Sequence, residues 1–467
     1  MKVVVVGSGM GGLSAAVRLA DAGFAVHVYE ARSEPGGLAS GCSFDGFEFD
    51  AGPYILLDRP GLEWAFQRLG LDLAQHVPLR RISDVYEVGF ADGPAVRVVA
   101  DLEQTAAGFE QHWPGSGRCY KQFVASILRV HQRLSPLLVI AHPGLVDLVR
   151  SGAIRHVAFL LRSLHSVHAH TGLPAPVLDA LAIWTHVAGQ RADEAPSPLA
   201  FVPALIHGVG AYYPPGGIRS IPQVLARVAA QAGVTFHYSA KVVAIRCDSG
   251  RIRGVAIEQG DFIAADAVVV NAGGVGVYLD LVDATPPRAR ARLQGLPLQS
   301  PGVCAYLAVR GQARSPYLRF FLPGGGEFCR SFIRPSVLVP ECVRDGWEPA
   351  RLLGPMLYEQ AQRDGPTGQR EYLERLLAEN WWRDGVEEFR VLATRIPAQW
   401  GAAYHLYRDS MNPVMTAKFM RAGRLAHRSP HVRGLYLAGS STHPGQWVSF
   451  CAISGILAAD RLREDFA

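Results

Sequence analysis

The sequence predicts a protein of the α/β class, with a first domain built on a β-α-β unit and a second, discontinuous α+β domain. Three observations predict the first domain. A β-branched run at residues 2–6 passes directly into the glycine turn Gly7-Ser8-Gly9-Met10-Gly11-Gly12. A helix pattern rich in small residues follows over residues 13–22, and an apolar run over residues 24–29 then ends in Glu30. This order is typical of a Rossmann-type dinucleotide-binding domain.

The residues of the turn each suit a task in dinucleotide binding. Gly7 permits the tight turn, Gly9 lets the backbone approach a pyrophosphate, and Gly12 lets the helix lie close to the sheet. The diphosphate would lie at the helix N-terminus, where free N–H groups and the helix dipole meet it. Glu30, eighteen residues after Gly12, suits an acceptor for ribose hydroxyls. The alternative, a glycine turn without a ligand, is disfavoured by the flanking strand, helix and acid.

Composition excludes several classes of protein. The 467 residues predict two or three compact units, and 46 basic residues nearly matched by 41 acidic ones argue against a nucleic-acid partner. Seven cysteines without a C-x-x-C pair fit neither a disulfide framework nor a zinc site, so we expect a reducing, cytoplasmic location. The four valines after Lys2 are too short for a signal peptide. No uncharged apolar run reaches the roughly 18 residues of a membrane span.

NAD and FAD use the same glycine turn, so later segments have to distinguish them. After Glu30 come Arg32, the run Pro35-Gly36-Gly37 and the stretch FDGFEFDAGP at residues 44–53. A middle block runs from Tyr213-Pro214-Pro215-Gly216-Gly217 to an apolar run that ends in Asn271-Ala272. A closing block, Gly439-Ser440-Ser441-Thr442-His443-Pro444-Gly445, precedes a final helix from about residue 448.

These blocks, in this order, resemble the flavin-binding motifs of the phytoene desaturase and carotenoid isomerase-like family. That family is a branch of the amine-oxidase-like superfamily of FAD-dependent oxidoreductases. The resemblance spans the chain, although the stretches between the blocks match only in length and character. It implies non-covalently bound FAD in a glutathione-reductase-like domain. The residues that it implies for FAD binding are Gly7, Gly9, Met10, Gly11, Gly12, Glu30, Ala31, Arg32, Gly36, Gly37, Leu38, Gly52, Pro53, Tyr54, Val242, Asn271, Ala272, Gly439, Ser440, Gln446, Trp447 and Val448.

The order of the blocks predicts how the chain divides into domains. The FAD-binding domain comprises residues 1–75, 212–289 and 431–467, and the substrate domain comprises residues 76–211 and 290–430. The first half of the substrate domain is predicted to be helical, with helix patterns at residues 120–138, 144–150 and 154–168. Its second half is predicted to contain a sheet, because residues 303–309 read as a strand.

The resemblance implies that a C–H bond of the substrate gives a hydride to flavin N5. The N-terminus of the final helix would stabilise the negative charge that develops at flavin N1 and C2=O. Desaturation also needs a base, for which we choose His443 and Tyr54, with His186 and Tyr404 as further candidates.

The closing block departs from the family after Gly445. A small segment with Gly and Pro is usual there, whereas this chain has Gln446-Trp447-Val448-Ser449-Phe450. Trp447 and Phe450 would narrow the reacting end or form an aromatic wall for a conjugated substrate. Packing of the final helix is the alternative role for both rings.

Three activities follow from the resemblance. The first is desaturation of a long apolar or polyene chain, with oxygen, a quinone or another diffusible acceptor taking the electrons. The second is redox-neutral cis/trans isomerisation of a polyene, on a free or carrier-protein-bound chain. The third is oxidation of an amine. The departure at residues 446–450 leaves the first two open, whereas the closing segment usual in amine oxidases differs from this one.

One segment is unusually basic. Residues 129–170 contain five Arg, six His and a single acid, Asp147. The pattern predicts a solvated face beside an ordinary core, and the alternative is a basic amphipathic surface that meets an acidic carrier protein or the inner surface of an anionic membrane. His165 and His168 share a helical face by spacing. No metal site is expected there, because no carboxylate or cysteine ligand accompanies them.

Overall fold

The computed structural model describes residues 1–283, 285–314, 316–422 and 424–466. The strands are β1 (Lys2–Val6), β2 (Ala25–Tyr29), β3 (Gly41–Phe44), β4 (Phe47–Asp50), β5 (Arg80–Ile82), β6 (Asp84–Phe90), β7 (Val96–Val99), β8 (Ala211–Tyr213), β9 (Thr235–His237), β10 (Val242–Asp248), β11 (Arg251–Ile257), β12 (Phe262–Ala264), β13 (Ala267–Val270), β14 (Val303–Arg310), β15 (Leu318–Leu322), β16 (Arg330–Ile333), β17 (Glu348–Gly354), β18 (Glu388–Arg395) and β19 (Leu435–Leu437).

The α-helices are α1 (Met10–Asp21), α2 (Arg59–Arg68), α3 (Leu73–His76), α4 (Leu102–His112), α5 (Ser116–Leu134), α6 (Leu145–Arg150), α7 (Val157–Leu160), α8 (Leu164–His168), α9 (Ala175–Val187), α10 (Phe201–Gly208), α11 (Ser220–Gln231), α12 (Gly274–Gly276), α13 (Pro287–Gln294), α14 (Tyr358–Ala378), α15 (Pro397–Tyr404), α16 (Ala417–Ala422) and α17 (Val448–Phe466). None of the helices in the described ranges is long and apolar enough to cross a membrane.

A five-stranded parallel sheet lies at the centre of the first domain, in the order β19-β13-β1-β2-β9. Alternate residues of β1 point to opposite faces. Val3 and Val5 join the core formed with α1, α11 and α17, whereas Val4 and Val6 join the core beneath the three-stranded sheet β10-β11-β12. Because both faces are covered, β1 is apolar from Val3 to Val6. The predicted α/β class and Rossmann-type unit are confirmed.

A second, seven-stranded sheet has the order β18-β14-β17-β16-β15-β6-β7. Neighbouring strands are antiparallel except β15 and β6. The predicted strand at residues 303–309 is present as β14. β6 and β7, which enter this sheet from the segment predicted to be helical, were not predicted from the sequence. The predicted domain boundaries stay a prediction.

The segment predicted to be helical consists of shorter helices than its periodicity predicts. The pattern at residues 120–138 forms α5 and a 3-10 turn from Ser135 to Val139. The single helix predicted at residues 154–168 is wrong, because the structure has a 3-10 turn, α7 and α8 there. Ser163 starts α8 anew, since its hydroxyl accepts the N–H of Ser166 at 3.3 Å.

Candidate active site

The glycine turn has no room for side chains. Gly7 adopts φ +89°, and a Cβ there would lie 2.7 Å from the carbonyl oxygen of Asn271. A Cβ on Gly9 would lie 2.8 Å from Oδ1 of Asn271, and one on Gly12 would overlap the carbonyl oxygen of Gly7. Only glycine at these positions therefore lets the turn pack this closely on itself and on Asn271. The N-terminus of α1, where a diphosphate can bind, follows this turn directly.

Asn271 joins the three sequence blocks at one point. Its Oδ1 accepts the N–H of Gly12 at 2.7 Å, and its Nδ2 donates to the carbonyl of Ala438 at 3.4 Å. Gly439 has φ +94°, and a Cβ there would collide with the same Nδ2. A Cβ on Gly11 would lie 2.7 Å from the Gly439 nitrogen. The first, middle and closing blocks thus form one cradle.

Glu30 fixes the glycine turn at the end of β2. Its Oε2 accepts both the N–H and the hydroxyl of Ser8 at 2.7 Å, and its Oε1 accepts the N–H of Arg32 at 2.9 Å. The second glycine loop lies beside it, because the N–H of Gly36 donates to the Ser8 carbonyl at 2.8 Å. Gly9 and Gly36 also form a β-bridge. The two predicted loops therefore contact each other around a carboxylate suited to ribose hydroxyls.

Several other residues predicted to bind FAD lie close to Glu30 or to the first glycine turn. Arg32 donates to the Ser40 hydroxyl at 2.9 Å. Val242 begins β10, two residues after Ala240, whose N–H donates to the Glu30 carbonyl at 2.9 Å. A Cβ on Gly37 would lie 3.3 Å from Cα of Gly9. Met10 is buried, Ala31 and Leu38 are partly buried, and Ala272 is exposed beside Asn271.

The segment at residues 50–54 is held by two buried groups that sequence analysis missed. Asp50 accepts the Tyr213 hydroxyl at 2.6 Å and the Ile218 N–H at 2.8 Å, and burial raises its pKa. Arg351 donates to the carbonyls of residues 51 and 52 at 3.3 Å each. These contacts fix Gly52 and Pro53 against the middle block. No local motif marks Arg351, since it comes from a strand of the other sheet.

The closing block leads into α17 through a polar network and an aromatic pair. The Ser440 hydroxyl donates to Oδ1 of Asn412 at 2.6 Å, and Nδ2 of Asn412 donates to Gln446 at 3.3 Å. In the first turn of α17, after Val448, the hydroxyl of Ser449 donates to the buried carboxylate of Asp58 at 2.8 Å. The partly buried rings of Trp447 and Phe450 stack with centroids 5.0 Å apart and planes 14° apart.

The four candidate bases lie in different surroundings. Nε2 of His443 donates a hydrogen bond to the Leu137 carbonyl at 3.0 Å. Burial and the charge of Arg424 lower the pKa of His443 to about 4. Burial raises the pKa of Tyr54, so its phenol keeps its proton at neutral pH. His186 accepts the N–H of Cys329 at 3.1 Å, and burial lowers its pKa to about 4. Tyr404 lies under the guanidinium groups of Arg32 and Arg395.

The site fits FAD. The glycine cradle, the carboxylate at the end of β2, the second glycine loop and a helix N-terminus after the closing block supply what an extended dinucleotide needs. This combination defines a flavoprotein of the dinucleotide-binding class.

Comparison with known proteins gives the family. Residues 10–311 match the family described as flavin containing amine oxidoreductase. The chain is 30% identical to a zeta-carotene-forming phytoene desaturase of Myxococcus xanthus, over 99% of this chain and 93% of that protein. It is 27% identical to a carotenoid 3,4-desaturase of Haloarcula japonica, over 100% and 98% of the two chains. The chain belongs to the flavin-containing amine oxidoreductase family and is a phytoene desaturase-like, FAD-dependent oxidoreductase.

A solved structure supports the fold. The crystal structure of an oxidoreductase from Methanosarcina mazei superposes with a TM-score of 0.66, at 18% identity, over 98% of this chain and 100% of that chain. At this identity the likeness concerns the fold alone. The predicted family, cofactor and enzyme class are confirmed, whereas the individual site residues stay predictions.

Proposed function

We propose that the enzyme desaturates a long apolar or polyene chain. The stacked pair Trp447 and Phe450 carries this proposal, because it is partly buried and lies at the start of α17, directly after the closing block. Both rings pack against the large apolar core. A flat aromatic wall of this kind suits a conjugated chain, which it contacts by stacking and dispersion. The names of the two desaturase relatives support the same substrate class.

Bound FAD supplies the hydride acceptor. The glycine turns and Glu30 would hold the dinucleotide, and the first N–H groups of α17 would stabilise the negative charge that develops on the flavin ring. Trp447 and Phe450 exclude water and align the substrate. We propose that His443 accepts the proton that leaves the carbon next to the hydride donor, because this imidazole is neutral at pH 7 and its Nε2 donates to the Leu137 carbonyl, which leaves the lone pair on Nδ1. We propose that Tyr54 lines the site without taking a proton.

The deciding experiment is anaerobic single turnover on a polyene substrate, followed by product mass. Desaturation predicts a product two mass units lighter and reduced flavin without turnover until an acceptor is added. A product of unchanged mass, formed only with pre-reduced flavin, would establish the isomerase instead. Oxidation of amines but not of polyenes would favour the amine oxidase.

Trp447→Ala tests the aromatic wall. We expect turnover to fall much further than FAD content, because the ring contacts substrate rather than the dinucleotide's phosphates. The matched control is Trp381→Ala, since the Trp381 ring stacks on Phe321 of β15 with centroids 5.6 Å apart. Equal losses of turnover in the two variants would mean that Trp447 only packs α17.

We further propose that residues 145–162, called the docking segment, contact an anionic membrane from the cytoplasmic side. Five large apolar side chains are exposed here, and Leu145 and Val146 are 68% and 61% exposed. The other three are Val149, Ile154 and Leu161. Exposed Arg150, Arg155 and Arg162 accompany them, so apolar insertion and attraction to lipid phosphates would act together. The seven free cysteines support a reducing compartment.

Vesicle co-sedimentation tests the docking segment. We expect binding to vesicles rich in phosphatidylglycerol to fall with added salt and in the triple variant Arg150→Gln, Arg155→Gln, Arg162→Gln. Leu145→Ser with Val146→Ser should weaken it too, whereas Val243→Ser with Phe262→Ser, two exposed apolar residues elsewhere, should not. Binding to an acyl carrier protein with no binding to vesicles would contradict the membrane proposal.

A further inference from the structure

Arg424 lies directly on the turn of the closing block. Its Nη1 donates to the carbonyl of Thr442 at 3.3 Å. Gly445 adopts φ +151°, and a Cβ there would lie 2.5 Å from the same Nη1. The guanidinium therefore occupies the space that a side chain at residue 445 would need. No sequence motif marks Arg424, because it lies before β19 and therefore outside the closing block.

The charge of Arg424 has no acidic partner in the described part of the chain. Its Nη2 contacts the thioether of Met415 and lies 3.8 Å from that of Met420. Burial lowers its pKa to about 10, so it remains a cation at neutral pH. Cys451 does not neutralise it, because burial raises the pKa of that thiol to about 12. Arg334, by contrast, is paired with Glu348.

An unneutralised cation in a partly buried position costs free energy unless something compensates it. The closing block is the element that, by resemblance, lies against the flavin ring, and a reduced flavin carries negative charge at N1 and C2=O. We propose that Arg424 is a positioning and electrostatic residue that stabilises the reduced, anionic form of the bound flavin. Its charge adds to the dipole of α17 behind the same turn. The inference rests on the FAD site alone and not on the proposed substrate.

The test is the two-electron midpoint potential of the bound flavin, measured without substrate. Arg424→Met removes the charge but keeps an apolar chain beside the two methionines. We expect reduced flavin to lose at least tenfold in affinity relative to oxidised flavin, which lowers the potential by about 30 mV. Sulfite addition at flavin N5, which creates the same anionic ring, should weaken by a similar factor. Arg424→Lys should stay within threefold of the wild type.

A control variant and a separate titration distinguish an electrostatic effect of Arg424 from an effect on folding. Arg428→Met removes an exposed arginine, paired with Asp465, four residues along the chain, and should leave the potential unchanged. If Arg424→Met loses FAD on purification, its affinities for oxidised and reduced FAD are titrated separately. Equal weakening of both forms, or a ratio within twofold of the wild type, overturns the proposal. A failed desaturation assay would leave this measurement unaffected, so the two proposals fail independently.

Discussion

Replacing Glu30 should weaken the binding of FAD and should separately lower the stability of the apoprotein. In the structure its carboxylate accepts the N–H and hydroxyl of Ser8 and the N–H of Arg32. Loss of ribose hydrogen bonds to a charged acceptor costs about 1.5–3 kcal/mol. At about 1.4 kcal/mol per factor of ten, Glu30→Ala should weaken FAD roughly 10- to 150-fold. Each donor left unsatisfied on Ser8, which is fully buried, adds about 1–3 kcal/mol of destabilisation to the apoprotein.

Fluorescence titration of the apoprotein with FAD measures the affinity for FAD. Denaturant unfolding of the apoprotein measures its free energy of unfolding. Glu30→Gln should lie between wild type and Glu30→Ala, because one amide oxygen still accepts from Ser8. Glu48→Ala is the control, since that exposed residue pairs with Arg219 rather than with the glycine turn. The reasoning is refuted if Glu30→Ala binds FAD within threefold of the wild type and unfolds at the same denaturant concentration.

Three further predictions follow from other contacts. Gly12→Ala should yield protein without flavin absorbance, because its Cβ would overlap the Gly7 carbonyl; retention of stoichiometric FAD would contradict this. Glu348→Gln should lower the free energy of unfolding by about 3–5 kcal/mol, since it leaves the buried Arg334 without its partner, and chemical denaturation measures it. Burial lowers the folded-state pKa of His427 from 6.5 to about 3. The unfolded chain therefore takes up the proton first, and stability should fall by up to about 1.4 kcal/mol per pH unit as pH falls from 6.5 towards 3. His427→Asn should flatten that profile in thermal unfolding.

Local rules predicted the nucleotide-binding unit well, because its signals are contiguous. A parallel strand buried on both faces is apolar, and positions 7, 9 and 12 of the turn after β1 have room only for glycine. The role of Asn271 as the residue joining three blocks was less visible. Its partners, Gly12 and Ala438, are 259 and 167 residues away along the chain, and no local pattern reports which backbone groups an amide will meet.

Other parts of the site depend on long-range packing and were missed. Asp50 and Arg351 come from different sheets and meet only in the folded chain. Arg424 stands outside every motif. The strands β6 and β7 lie in a segment predicted to be helical, so the pairing of β6 with β15 and of β7 with β6 was not apparent. The break before α8 depends on a capping serine rather than on any loss of apolar spacing.

The packing of the first glycine turn against residues far along the chain has a consequence for biosynthesis. Gly11 packs against Gly439 and Cys451, and Gly455 of α17 packs against Gly11 in return. The parallel sheet is completed by β19, which the ribosome makes after the other four strands of that sheet. Until β19 and α17 have been made, the first glycine turn therefore lacks its far wall. FAD loading should follow the synthesis of these two elements, and it depends on long-range contacts that form slowly.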